Sequence, residues 1–255
     1  MPPNERFWVP ESIGDARYRL RASEAACVGI PGRRAPMGGV TTAAAIEAME
    51  QETGKSLFWA TSQFLAPAPT ERDFEIRVEV LGRGRRATRM RATLLHGDET
   101  ILVAAGALGE ADPSAGVSFC AVPSVPDSAE CPRLETPDDG GLMSQLERRR
   151  AHRDEPGREA VWFRFLAGHG TSAGTLAILG DFLAGAHPDT RGSVGFDNTL
   201  RVVAPRETDW ILADMSIAHI GAEVFHGSMR LFARSGELMA ISSLTALRPP
   251  PKHRG

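Results

Sequence analysis

Apolar and polar residues first alternate at the start of the chain, where Tyr18, Leu20 and Ala22 interleave with Arg17, Arg19 and Arg21. A period of two is the signature of a strand with one buried face. The run IPGRRAPMGG breaks that pattern. From Gly38 and Gly39 the alanine-rich run VTTAAAIEAMEQETG, closed by Gly54, predicts a helix with a glycine stop, and its small residues suit close packing on a sheet. Between Ser56 and Glu110 the pattern becomes that of strands: SLFWATSQFLA, a proline corner at Pro67 and Pro69, then DFEIRVEVLGRG, ATRMRATLLHGDE and TILVAAGALGE. Phe74, Ile76, Val78 and Val80 alternate with charged residues, and Gly82, Gly84 and the Gly97-Asp98 pair mark the turns. The first part of the chain thus reads as a strand, a helix and an antiparallel meander.

From about Ala111 to Glu159 there are prolines and acids but no sustained apolar face, which predicts a connection with a short helix near Met143 to Arg150. The run ERRR within it reads as a solvated helix face. The earlier order then returns. AVWFRFLA reads as a strand, and Gly168 and Gly170 lead into a helical pattern from Thr171 through Ala184, with Leu176, Leu179 and Leu183 widened by Ile178 and Phe182. Four strands follow: FDNTLRVVA, DWILADMSIAHIG, HGSMRLFARSGEL and LMAISSLTALRP.

The halves align on their Ala-Pro corners, with Phe58 to Pro67 falling on Phe196 to Pro205. Phe, Thr, Ala and Pro coincide, so a duplicated strand-helix-meander unit is more economical than two unrelated domains. The expected organisation is an N-terminal unit over 1–110, a linker over 111–158 and a C-terminal unit over 159–255. The repeat is broken where Trp59 of the first copy meets Asp197 of the second. That asymmetry points to one functional site in the second copy.

Composition narrows the function little. An apolar fraction of 42%, a charged fraction of 24% and a net charge of -3 over 255 residues are those of a globular protein with no global attraction for nucleic acid or an acidic membrane. Cys27, Cys120 and Cys131 form no dense framework, so reduced thiols are expected. No apolar run approaches the ~20 residues of a membrane span, and MPPNERFWVPESIG has no signal-peptide pattern. The chain is therefore expected to be cytoplasmic. Nothing resembles HxxxH or CxxC, so no metal and no cofactor are expected.

The segments MGGVTTAAAIEAM, FWATSQFLAPAP and IRVEVLGRGRRATRMRATLLHGDETILVAAGALG resemble the first half of the double-hotdog acyl-CoA thioesterases, the type II group and its thioesterase-like relatives. LAILGDFLAGAHP through FDNTLRVVAPRETDWILADM, with HGSMRLFARSGELMAISSLTALRP, resembles their second half. The resemblance runs from about Tyr18 to Pro249. It implies an α+β double hotdog, with two antiparallel sheets, each wrapping a long central helix, joined into one continuous sheet. It also implies hydrolysis of acyl-CoA to free acid and CoA. In the type II group a water is held by an Asp opening a second-half strand, a Thr or Ser on the next strand and a Gln on the last. Asp197 matches the Asp; Ser216, Ala218 and His219 compete for the hydroxyl position; Leu244, beside Ser242, Ser243 and Thr245, stands where the Gln would be.

Thioester hydrolysis needs a base for water and donors for the developing oxyanion. The catalytic candidates are Asp197, Ser216, His219 and Ser243. Gly38, Gly39 and Gly170, whose amides open helices, are assigned with Trp59 to substrate binding. Asp181 is a second candidate base, because single-hotdog thioesterases often carry their carboxylate on this helix. Glu50 and Asp181, each eleven residues after a glycine that opens the helix, are candidate repeat partners. His169 precedes Gly170, and His219 could border Asp197. Arg83, Arg85, Arg86, Arg89 and Arg91 are either an anchor for CoA phosphates or a solvent-facing strand. Two other functions compete with hydrolysis: a degenerate acyl-thioester binding protein, and a hotdog hydratase or dehydratase. The acyl-CoA substrate is the one expected partner, and exposed sheet edges make a homodimer or larger homo-oligomer plausible.

Overall fold

The computed structural model describes residues 6–30, 33–70, 72–110, 112, 116–136, 140–153 and 155–249. The first half contains β1 (Glu11–Gly14), β2 (Arg17–Arg21), the hairpin β3 (Cys27–Ile30) and β4 (Arg33–Pro36), α1 (Gly38–Thr53), β5 (Ser56–Phe64), β6 (Asp73–Arg83), β7 (Ala87–His96) and β8 (Glu99–Gly109). The second contains β9 (Leu146–His152), β10 (Arg158–Phe165), α2 (Ala173–Gly180), β11 (Val194–Val202), β12 (Ile211–Ile220), β13 (Val224–Ala233) and β14 (Leu238–Leu247).

All strands except β3 and β4 belong to one antiparallel sheet of twelve, in the order β1-β2-β6-β7-β8-β5-β11-β14-β13-β12-β10-β9. Read outward from its centre, each half runs through the same sequence of elements. β5 answers to β11, β8 to β14, β7 to β13, β6 to β12 and β2 to β10. The repeat alignment has a physical counterpart at the seam. Thr61 and Thr199, equivalent in the two copies, lie directly opposite one another in the β5–β11 pair, with their hydroxyls 2.8 Å apart. A local two-fold relation passes between them.

The two expected sheets are thus a single uninterrupted one, and the two helices are unequal. In α1 every residue from Gly39 to Met49 is buried, so the helix is exposed only in its last turn, at Gln51 and Glu52. It packs on β5 to β8, and Gly54 ends it in the left-handed conformation at φ 64°. The second helix is not long: α2 spans eight residues and gives way at Asp181 to a tighter 3-10 turn over Phe182–Ala186. The Gly180 carbonyl faces side chains of the sheet, with the Ser242 hydroxyl at 3.0 Å and the Asn198 amide at 3.4 Å. Those partners lie outside the helical ladder.

The helix expected near Met143 to Arg150 is a short 3-10 turn, Leu142–Gln145, followed by the edge strand β9. ERRR is not a solvated helix face. Glu147 is buried and paired with Arg149 and Arg164, and β9 runs antiparallel to β10. The alternation of a strand separates Glu147 from its neighbours Arg148 and Leu146, which a helical reading of the charge run could not do. The segment from Pro126 to Cys131 covers part of the sheet on the side away from the helices. Trp162 donates to the Pro126 carbonyl at 3.1 Å, and Cys131 packs with Trp162, Trp210, Leu212 and Phe232.

Candidate active site

The two helices lie against each other so that the start of α1 meets the end of α2. A Cβ on Gly39 would lie 2.8 Å from the Asp181 Cβ and 3.0 Å from the Ala177 carbonyl, so only glycine permits this approach. The Gly39 amide donates to Asp181 Oδ2 at 2.7 Å. Met37, the N-cap of α1, offers no side-chain acceptor, and the Asp181 carboxylate takes one of the amides that a helix start leaves unpaired. Gly38 also converges here, since a Cβ on it would lie 2.8 Å from the Phe64 ring and 3.1 Å from Asp181 Oδ2.

From the sheet, β11 supplies Asn198 and β14 supplies Ser242. Asn198 Nδ2 reaches Asp181 Oδ1 at 3.3 Å, and the Ser242 hydroxyl lies 2.9 Å from Asn198 Oδ1. That hydroxyl has one proton to share between Asn198 and the Gly180 carbonyl. The result is a carboxylate, a carboxamide and a hydroxyl joined by hydrogen bonds where the two halves meet. Burial pushes the Asp181 carboxyl up to about 6, against the opposing effects of the Gly39 amide and Asn198. Asp181 keeps partial solvent access, whereas Asn198 and Ser242 are buried.

The structure divides the residues singled out in the sequence between the two faces of the sheet. Asp197 precedes Asn198 on the same strand, so its side chain projects to the opposite face, away from the helices. Its Oδ1 accepts from the Thr245 amide at 2.9 Å, beside a bulge between Gly195 and Asp197 in the β11–β14 pairing. Ser243 and Ser216 share that outer face. Ser243 lies opposite Thr199, and Ser216 opposite Ser228. Trp59 lies opposite Arg201 on the same side. The expectation that His219 borders Asp197 is not met: His219 is on β12, opposite His226 of β13, with β14 still between β13 and Asp197.

Gly38 and Gly39 do open α1, but Gly170 does not open α2. That helix starts after Ser172, whose hydroxyl accepts from the Thr175 amide in a capping box, while Gly170 stands two residues earlier with φ +71°. Nor is Glu50 the partner of Asp181 by packing. It accepts from the Leu57 amide at 2.8 Å, and burial pushes its carboxyl up to about 7. The acid of α1 that meets α2 is Glu47: a Cβ on Gly174 would be 2.9 Å from Glu47 Oε1. The arginines from Arg83 to Arg91 are all solvent-exposed, and Arg91 pairs with Glu79.

Sequence reasoning passed over Asn198 and Ser242. A signal was present for the first, because Asn198 shares its strand parity with Leu200, making it a polar residue at an inward position.

An uninterrupted antiparallel sheet backed by a pair of helices is the hotdog architecture. A hot dog fold protein from Alicyclobacillus acidocaldarius superimposes with a TM-score of 0.83 at 18% identity, covering 96% of this chain and 97% of that one. A protein from Novosphingobium aromaticivorans, provisionally called a thioesterase, gives a TM-score of 0.88 at 26% identity, covering 94% and 98%. The acyl-CoA thioesterase II TesB2 of Mycobacterium marinum gives 0.77 at 17%, covering 96% and 98%. No curated protein matches the chain by sequence. The model of the acyl-CoA thioesterase N-terminal domain matches residues 30–109, and that of the C-terminal domain matches residues 126–247. The chain belongs to the acyl-CoA thioesterase family, and it is a thioester hydrolase.

Proposed function

We propose that the chain hydrolyses acyl-CoA thioesters at Asp181. The observation that carries this reading is the hydrogen-bonded set of Asp181, Gly39, Asn198 and Ser242 at the junction of the two helices. Asp181 takes a proton from water, which attacks the thioester carbonyl. The tetrahedral intermediate collapses, the C–S bond breaks, and the CoA thiolate receives the proton from Asp181. The Gly38 amide, which opens α1 beside Asp181, polarises the carbonyl, since that end of the helix carries its positive dipole.

The type II pattern of carboxylate, hydroxyl and carboxamide has a counterpart here with the roles differently placed. Leu244 stands where the resemblance puts a Gln, and the carboxamide comes instead from Asn198 on β11. Ser242 on β14 contributes the hydroxyl. Asp197, whose carboxylate holds the Thr245 amide, is assigned a structural role.

The test is release of CoA from a chain-length panel of acyl-CoAs by wild type, Asp181→Asn and Asp197→Asn. Loss in Asp181→Asn alone supports the reading. Equal rates in wild type and Asp181→Asn would overturn it, and saturable binding without release by wild type would mark a binding protein instead.

A further inference from the structure

The two-fold relation between the halves creates a second place built like the first. Gly39 in the first turn of α1 faces Asp181 at the C-cap of α2, and Gly174 in the first turn of α2 faces Glu47 of α1. The two places differ in what fills them. At Glu47 the fully buried indole of Trp8, from the N-terminal arm, donates to Oε1 at 3.4 Å. A Cβ on Gly174 would lie 2.7 Å from its Nε1. The indole packs against Phe165 with ring centroids 5.7 Å apart and edge-on against His169 at 5.1 Å.

Phe165 and His169 also line a pocket of about 1020 Å³. Phe163 and Ile211 extend its apolar lining, and Thr208 and Ser235 are polar. Its volume is in the range that takes a small organic ligand. The charges are largely matched: Arg234 pairs with Asp127 and Asp209, and Arg164 with Glu147. Glu207 also borders the cavity. Such a lining disfavours a free fatty carboxylate and suits an uncharged chain with amides.

We propose that this cavity and the space occupied by Trp8 form a second, latent acyl-thioester pocket, which the N-terminal arm closes by inserting Trp8 at its inner end. The inference rests on the reading of Asp181 as the site of hydrolysis, because the second pocket is recognised as its two-fold counterpart. With Trp8 withdrawn, the acyl chain runs along Phe163, Phe165 and Ile211, and the pantetheine amides meet the polar rim.

The probe is a non-hydrolysable S-alkyl pantetheine thioether, titrated calorimetrically into the full chain. Wild type is expected to bind one equivalent and Trp8→Ala two, with indole displacing the second. Trp8→Leu, which keeps part of the apolar volume, serves if Trp8→Ala does not unfold cooperatively. One equivalent in a folded Trp8 variant overturns the proposal, as do two equivalents in wild type. CoA release by Asp181→Asn, measured alongside, separates the two ideas. A second equivalent in the Trp8 variant with undiminished hydrolysis by Asp181→Asn sinks the hydrolytic reading alone. A single equivalent with hydrolysis that depends on Asp181 sinks only the pocket.

Discussion

Asp181 accepts a 2.7 Å hydrogen bond from the backbone amide of Gly39, across the junction of the two halves of the chain. The contact gives the carboxylate a donor that holds its pKa down, while burial at the same junction raises it further. Both effects bear on activity and on stability.

Replacing Asp181 with Asn should lower CoA release by about 10²- to 10⁴-fold, the range that a positioned general base contributes. It should also stabilise the fold at neutral pH. A carboxyl raised to about 6 resists ionisation in the folded state, so its contribution is fully present below its unfolded pKa and lost as pH rises through 6. The penalty at pH 8 is at most about 3 kcal/mol, and partial solvent access reduces it. Thermal unfolding of both proteins at pH 4 and pH 8 checks this: the variant's advantage should appear only at the higher pH.

The pH dependence of kcat/KM should show activity rising through an apparent pKa near 6 and levelling above it, since Asp181 must be ionised to take a proton. Asp197→Asn should keep that profile and stay within about threefold of wild type, because its carboxylate lies on the other face of the sheet. A displaced profile in Asp197→Asn would contradict this assignment.

Asn198→Ala removes a donor that holds the Asp181 carboxyl down, so the acid limb of the profile should move to higher pH. Activity should fall about tenfold or more, as expected when a preorganised donor is lost. Ser242→Ala should fall less, because Ser242 reaches Asp181 only through Asn198. Steady-state rates across pH separate the two variants.

Gly39→Ala inserts a methyl group 2.8 Å from the Asp181 Cβ and 3.0 Å from the Ala177 carbonyl. The helices must part to admit it, costing about 1–3 kcal/mol. Chemical denaturation should report that loss together with a collapse in activity. Gly185→Ala, at a position where a Cβ meets nothing within 4 Å, is the control and should be close to neutral.

The order of elements in the two meanders was legible in the sequence, because each of their strands carries its own alternation, whereas β9 was not, since its charge run fits a helix as well as an edge strand. So was the duplication, since Thr61 and Thr199 can be matched without coordinates and then prove to face each other at the seam. The same period of two that reveals a strand also puts Asp197 and Asn198 on opposite faces. Which face is inward depends on where the helices pack, and that is decided by contacts far apart in the chain. Only the tertiary structure could therefore bring Gly39 and Asn198 to the two oxygens of Asp181, the proposed base, and leave Asp197 holding the Thr245 amide at a bulge. The sequence by itself determined the two meanders, their repetition and the kinship to thioesterases; the packing of α1 against α2 decided which carboxylate meets the Gly39 amide, and desolvation at that junction is what raises its pKa to about 6.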